Sequence, residues 1–157
     1  MEIRRFREED AKAVSEMIRG TLWSVNRGDY SEDYLNHLCA RMLPEDICRK
    51  AEETAYFVAE EEGRIVGSGA VGEASEESAF FYHIFAAADR QGQGIGRAMI
   101  GWLEEEALRM DKRRVEFHAS ITAAGFYVRL GYRHCEEPPV PDEDGLYRME
   151  KWLGEEA

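Results

Sequence analysis

The sequence predicts an α/β fold of the mixed (α+β) kind: a mostly antiparallel central sheet of about six to seven strands, flanked by about four helices. The first third of the chain has the apolar spacing of amphipathic helices, and the middle has short β-rich runs joined by a charged turn. After these runs, helices and strands alternate. With 157 residues the chain fits one domain, which we expect to span residues 1–157.

The first third is predicted to be largely helical after one short strand, "EIRRF" at 2–6. Apolar residues at i, i+3, i+4 and i+8 predict the first helix: Val14, Met17, Ile18 and Leu22. After the polar loop "SVNRGDY", Ser31 is placed to cap a second helix. Its apolar stripe comprises Leu35, Leu38, Cys39 and Met42. Pro44 is well placed to open a further short turn of helix.

The rest of the chain supplies the sheet. "AYFVAE" and "RIVGSGAV" are β-rich and are joined by "EEEG", which predicts a hairpin, and "AFFYHIFA" predicts a third strand. A glycine-rich loop follows, and then a helix from about 97 to 110. We expect a strand at 114–119, a helix at about 122–130 and a last strand around "LYRMEKWL".

Composition and charge exclude several function classes. The formal net charge of −12 argues against nucleic-acid binding, which needs clustered Lys and Arg. The acidity is compatible with collecting a cationic substrate such as an amine, or with solubility alone. "SAFFYHIFAAA" at 78–88 is well short of the roughly 20 residues that span a bilayer, so we expect no membrane association.

The N-terminus is charged from its second residue and contains no apolar segment, so we expect no secretory signal and a cytoplasmic protein. Three cysteines, Cys39, Cys48 and Cys135, have no zinc-like spacing and no paired framework, so we expect reduced thiols. No residue pattern resembles a metal site.

The stretch "RQGQGIGRAM" at 90–99 has three glycines directly before a predicted helix: Gly92, Gly94 and Gly96. A dinucleotide fingerprint is excluded, because Arg97 and Met99 occupy the positions of its last glycine, and no P-loop spacing is present. Free backbone N–H groups and the positive end of a helix dipole would still meet there, which favours an anion such as a phosphate. The alternative is a turn that only connects a strand to a helix.

At this point the sequence resembles the GCN5-related N-acetyltransferases (GNAT). "QGQGIG" at 91–96 is similar to the family signature [Gln/Arg]-x-x-Gly-x-[Gly/Ala], and "SITAAGFYVRLGY" at 120–132 is similar to its N-x-x-A-x-x-F-Y-x-x-x-G-[F/Y] segment. The strand "HIFAAAD", the hairpin "FVAEEEGRIVGSGAV" and the last strand "RMEKWL" lie in the matching order. The resemblance implies a GNAT-like acyl-CoA N-acyltransferase fold, with acetyl-CoA as co-substrate and no metal.

The resemblance also implies where the cofactor lies. Backbone N–H groups of the loop would bind its pyrophosphate, from Gln91, Gly92, Gln93, Gly94, Ile95, Gly96 and Arg97. The pantetheine arm would lie along Ile84, Phe85 and Ala86, and Ala123 and Phe126 would pack against the cofactor, although Phe126 also fits an ordinary core position. Ser120 stands where the family commonly has an asparagine that bonds the arm, so that contact is in doubt.

For catalysis, the resemblance implies that the N–H of Ala86 stabilises the oxyanion and that Tyr127 protonates the leaving thiolate. Tyr127 could instead be a core tyrosine. The candidates for a general base are Glu73 and His83. Strand alternation places His83 on the face of Phe81 and Phe85, where a structural role is the alternative.

The acceptor site is expected near the first helices, where Asn26 and Tyr30 (with Asp29) are candidate contacts, although such residues also suit a plain turn. The sequence therefore predicts an N-acetyltransferase in which a primary amine, on a small molecule or a peptide, attacks acetyl-CoA directly in a ternary complex. The rival hypothesis is a non-catalytic acyl-CoA-binding sensor or interaction module, and a nucleotide-binding protein is a weaker third. A homodimer would be compatible with the family.

Overall fold

One seven-stranded sheet organises the computed structural model, which describes residues 1–154. The strands are β1 (Glu2–Arg5), β2 (Ala55–Glu61), β3 (Arg64–Glu73), β4 (Ser78–Ala86), β5 (Arg114–Ala119), β6 (Arg133–His134) and β7 (Tyr147–Trp152). The α-helices are α1 (Ala11–Val25), α2 (Glu32–Ala40), α3 (Pro44–Glu53), α4 (Ile95–Arg109) and α5 (Ile121–Arg129). Two single turns of 3₁₀-helix cover Glu8–Asp10 and Ala88–Arg90.

The strand order is β1-β2-β3-β4-β5-β7-β6, and β4 with β5 is a parallel pair inside an otherwise antiparallel sheet. The predicted mixed, mostly antiparallel sheet is confirmed. The described chain has five α-helices where about four were expected, because Pro44 opens the full helix α3 and not a short turn. The Asp46 carboxylate accepts the Leu43 N–H at 3.0 Å and stabilises the start of that helix.

The helices cover both faces of the sheet. On one face α1, α2 and α3 bury an apolar cluster centred on Val14, Ile18, Leu35, Ile47, Tyr56 and Val58. On the other face α4 and α5 bury a second cluster that includes Val71, Phe81, Met99, Leu103, Phe117 and Tyr127. A Cβ atom on Gly69 of β3 would lie 2.7 Å from Met99 Cγ, so glycine lets α4 approach the sheet closely.

Within residues 1–154 no helix is long and apolar enough to cross a membrane. The same part of the chain has no group of three or more His, Cys, Asp or Glu side chains that could hold a metal ion. Cys39, Cys48 and Cys135 are half-buried free thiols, and burial raises the pKa of each.

Candidate active site

A cleft opens in the sheet where the parallel strands β4 and β5 separate. They pair only from Ser78 to Phe80, opposite Arg114 to Glu116. Beyond that point a cavity of about 560 Å³ extends from the glycine loop, between β4 and the end of β5, to α1 and α2. Such a cavity at a break in a sheet is large enough for a substrate.

The glycine loop forms the outer end of this cavity. Gly92 and Gly94 have φ angles of +74° and +86°, which favour glycine. Helix α4 begins at Ile95, two residues earlier than expected, and its first internal hydrogen bond joins Ala98 N–H to Gly94 O at 3.0 Å. The N–H groups of Ile95, Gly96 and Arg97 therefore have no acceptor inside the helix, at the positive end of its dipole.

Helix α5 packs against the glycine loop, and two arginines, Arg90 and Arg97, lie at the ends of that loop. A Cβ atom on Gly96 would lie 3.3 Å from the Phe126 ring, so a larger residue would press on α5. Arg90 is bound to Glu61 at 3.3 Å. Arg97 is exposed and forms no ion pair with any residue between 1 and 154. The loop thus presents backbone donors and one uncommitted guanidinium to the cavity.

Strand β4 contains a β-bulge near its end. Tyr82 lies opposite Ala70, whereas Phe85 lies opposite Ser68, so β4 has one more residue than β3 over this stretch. His83, in the bulge, has a φ of +53°, an uncommon conformation for a residue with a side chain. Alternation along the strand therefore breaks at this residue.

The bulge decides where the backbone of Ala86 points. Ala87 N–H donates to Val66 O at 2.8 Å, and the neighbouring pair is Ala86 with Gly67. Because hydrogen-bonded and non-hydrogen-bonded pairs alternate in an antiparallel ladder, the N–H and C=O of Ala86 point away from β3. They point to the side where β5 has already separated.

Two side chains hold the carbonyl of Ala86. Thr21 Oγ1 of α1 donates to it at 3.1 Å, and Gln91 Nε2 of the glycine loop donates to it at 2.8 Å. These bonds join the end of β4, the loop and α1. Gln91, expected to contribute its backbone N–H, thus also positions the strand through its side chain, and no local signal in the sequence indicates this contact.

Tyr127 lies on α5 and borders the cavity. Its ring is buried against Phe117 of β5, with centroids 4.5 Å apart, and against Phe126. Burial raises the pKa of Tyr127, so the hydroxyl stays protonated at neutral pH. No side chain of the described residues forms a hydrogen bond with that hydroxyl.

Ser120 caps α5, since its Oγ accepts the Ala123 N–H at 3.2 Å. Asn26 Nδ2 lies 3.4 Å from the same Oγ and 3.3 Å from a carboxylate oxygen of Asp29. Asp29 also accepts the hydroxyl of Thr122. Asn26 therefore ties the α1–α2 loop to the start of α5 at the wall of the cavity. The capping role of Ser120 could have been predicted, because serine is a favoured residue before a helix.

His83 lies against Tyr56, with 2.9 Å between Nδ1 and the phenol oxygen. Burial, and then the charge of Lys50, lower the pKa of His83 to about 4. The bulge puts this side chain on the face of Tyr56 and Phe85 but not on the face of Phe81, so the predicted alternation is wrong for Phe81.

The structure brings nearly all predicted site residues to this one cavity. Its lining includes Asn26, Tyr30, His83, Ile84, Phe85, Ala86, Gln91, Gly92, Gly94, Ile95, Gly96, Arg97, Ser120, Ala123, Phe126 and Tyr127. Gln93 is not among the lining residues. Glu73, a predicted candidate for the base, does not line the cavity: it ends β3 opposite Ala79 and lies 3.3 Å from Lys112, at the closed end of the cleft.

Comparison with solved structures supports the fold. The structure is similar to PaiA N-acetyltransferase from Thermoplasma acidophilum in complex with coenzyme A, at 16% identity and a TM-score of 0.82 over 97% of this chain and 98% of that chain. It is similar to a GCN5-related N-acetyltransferase from Rhodopseudomonas palustris, at 20% identity and a TM-score of 0.81 over 97% and 95%. It is also similar to yncA from Salmonella typhimurium with acetyl-CoA, at 19% identity and a TM-score of 0.69 over 100% and 96%.

No curated protein sequence matches the chain. The model of the acetyltransferase (GNAT) domain family matches residues 26–153, which include β2 to β7 and the whole glycine loop. The chain therefore belongs to the GNAT acetyltransferase family, whose members use acetyl-CoA as their co-substrate.

Proposed function

We propose that the protein transfers the acetyl group of acetyl-CoA to a primary amine, by direct attack of the amine nitrogen in a ternary complex. The observation that carries the proposal is the convergence on one cavity of three groups. These are the free N–H groups of the glycine loop, the outward-pointing N–H of Ala86 and the protonated hydroxyl of Tyr127.

The residues fit coenzyme A. The N–H groups of Ile95, Gly96 and Arg97 suit a pyrophosphate, because they lack helical acceptors and lie at the positive end of α4. Beyond Phe80, strand β4 is no longer paired with β5. Its cleft-facing backbone groups, apart from the Ala86 carbonyl that Thr21 and Gln91 already bond, are therefore available to an extended arm such as pantetheine. Ser120 is already a helix cap, and we expect it to contribute less to that arm than an asparagine would.

The chemistry assigns one role to each group. The amine nitrogen forms a bond to the thioester carbon, and the N–H of Ala86 donates to the oxygen on which negative charge develops, an interaction worth about 3–4 kcal/mol in other acyl transfers. The C–S bond then breaks, and Tyr127 gives its proton to the sulfur. The proton that the nitrogen loses returns to the tyrosine through solvent, so the products are an amide and the free thiol.

His83 is a poor general base in this scheme. With a pKa of about 4 it is neutral at pH 7 but holds an added proton weakly. We propose that the amine attacks in its neutral form and that His83 lines the site as an uncharged side chain without taking up a proton.

The test is release of free thiol from acetyl-CoA in the presence of primary amines. We expect Tyr127→Phe to lower kcat by about a hundredfold or more while coenzyme A binding, measured by calorimetry, is unchanged. Tyr147→Phe is the matched control, since Tyr147 packs on His134 and does not line the cavity. Full activity of Tyr127→Phe would remove this residue as the acid.

One observation favours the alternative of a non-catalytic acyl-CoA-binding module. No Asp or Glu among the described residues lines the cavity, so a strong base is missing. That alternative requires tight coenzyme A binding without thiol release for any amine. The same assay therefore distinguishes the two.

A further inference from the structure

The cavity has an apolar end on the side of α1 and α2. Six apolar residues line it there: Leu22, Val25, Leu38, Met42, Phe85 and Leu146. All but Leu22 are only half-buried, so their side chains still present apolar surface to the cavity. Four of the six belong to the cluster that α1, α2 and α3 form against the sheet, which fixes this wall in place. Apolar surface in a cavity favours an apolar occupant.

Every full charge that lines the cavity is positive and lies at the other end. Arg90 and Arg97 lie at the ends of the glycine loop, and Arg129 lies on α5. These positions suit the phosphates of coenzyme A. For residues 1–154, no carboxylate lines the cavity to receive an ammonium group.

Two of the three carboxylates whose charges act on Tyr30, those of Asp29 and Asp142, already have partners. Asp29 accepts from Thr122 and Asn26, and Asp142 accepts the backbone N–H groups of Asp144 and Leu146, both at 2.9 Å. Neither Asp29 nor Asp142 lines the cavity. A second ammonium group on the substrate would therefore compete with formed hydrogen bonds for these carboxylates.

Two of the ionisable groups that line the cavity, His83 and Tyr30, are neutral at pH 7. His83 has a pKa of about 4, and burial, followed by the charge of Asp29, raises the pKa of Tyr30 to about 12. Lys50 and Asp46, whose charges act on His83, do not line the cavity. These two groups therefore bring no charge to the apolar end, although the chain carries a formal net charge of −12.

We propose that the acceptor is a primary amine whose remaining arm is uncharged and apolar, an alkyl or aryl amine without a second charge. This inference rests on the proposed function and adds the class of acceptor. The amine enters as the neutral base, because the apolar end offers no carboxylate to stabilise an ammonium. The reaction is the one written above, in which a C–N bond replaces the C–S bond.

The test compares three amines of equal chain length: hexylamine, 1,6-diaminohexane and 6-aminohexanoate. Their free ends are apolar, cationic and anionic. We expect kcat/KM per amino group, followed by thiol release from acetyl-CoA, to be about tenfold or more higher for hexylamine than for either charged amine. Equal rates, or a preference for either charged amine, would overturn the proposed acceptor class.

A variant of the wall provides a second readout. Leu146→Asp places a carboxylate at the apolar end, and we expect it to lower the ratio of hexylamine to diaminohexane activity about tenfold. Leu108→Asp is the matched control, because Leu108 is a leucine of α4 that is 48% exposed and lies outside the cavity. Should Leu146→Asp fail to fold, the wild-type comparison decides the matter alone.

The two levels of the proposal fail differently. Coenzyme A binding without thiol release for these three amines and for the other primary amines of the first assay would overturn the proposed function, and the acceptor class with it. Thiol release that does not favour hexylamine would overturn the acceptor class and leave acetyl transfer standing.

Discussion

Removal of the His83 imidazole should flatten the dependence of stability on pH. In the folded chain burial lowers the pKa of His83 to about 4, whereas an unfolded histidine titrates near 6.5. Between these values the unfolded state binds more protons, so the free energy of unfolding falls as the pH falls through this window. Integrated from pH 7 to pH 5, the loss due to this one group is about 2 kcal/mol.

His83→Asn is the variant of choice, since asparagine tolerates a φ of +53° better than most residues. Urea unfolding of both proteins at pH 7 and pH 5 gives four free energies. The variant loses the bond to Tyr56 at both pH values, so the change with pH is the quantity of interest. We expect the wild type to lose about 2 kcal/mol more than the variant between the two pH values. A loss equal in both proteins would refute a buried, neutral His83.

Three further substitutions test the packing that positions the site, each by urea or thermal unfolding. Gly69→Ala should lower the free energy of unfolding by about 1–3 kcal/mol, because its Cβ would lie 2.7 Å from Met99 Cγ. Gly101→Ala is the control: Gly101 lies in the same helix as Met99 and its Cβ would have no atom within 4 Å, so this change should raise the free energy of unfolding by about 0.5–1 kcal/mol. Tyr132→Phe should cost about 1–2 kcal/mol, because it removes the 2.7 Å hydrogen bond to Glu104. A neutral result for Gly69→Ala would mean that α4 can move away from the sheet at little cost.

The glycine loop could be predicted from the sequence because its information is local. The positive φ angles of Gly92 and Gly94 and the start of α4 depend on a few consecutive residues. The elements before it were also predictable, since the spacing of Val14, Ile18 and Leu22 and the position of Ser31 define α1 and α2 from neighbours in the chain. Local chemistry therefore predicts the position of the loop that we propose to bind the pyrophosphate.

Predictions that depended on strand pairing were less successful. Glu73 and His83 lie on the neighbouring strands β3 and β4, and the register of that pair cannot be read from the sequence. In the structure the closed end of the cleft holds Glu73 near Lys112, and the bulge turns His83 away from Phe81. Register is set by contacts between distant segments, so a one-residue bulge cannot be read from alternation alone.

The apolar end of the cavity could not be predicted from the sequence for the same reason. The net charge is compatible with a cationic acceptor or with solubility alone, because charge summed over the chain does not say which side chains line a cavity. Leu22 and Leu38 come from the first helices, Phe85 from β4 and Leu146 from the segment before β7. Only the fold brings these apolar residues together.

The bulge in β4 links the two ends of the site. Before the bulge, Tyr82 pairs with Ala70 of β3. If β4 had no extra residue, the alternation of hydrogen-bonded and non-hydrogen-bonded pairs would point the N–H of Ala86 towards β3. The additional residue shifts this alternation by one position. Phe85 therefore pairs with Ser68, and the N–H of Ala86 points into the cleft. The left-handed backbone of His83 is thus the structural cost of exposing the donor that we propose for the oxyanion. The same bulge places His83 beside Tyr56. It therefore accounts both for the buried neutral imidazole and for the free N–H of Ala86.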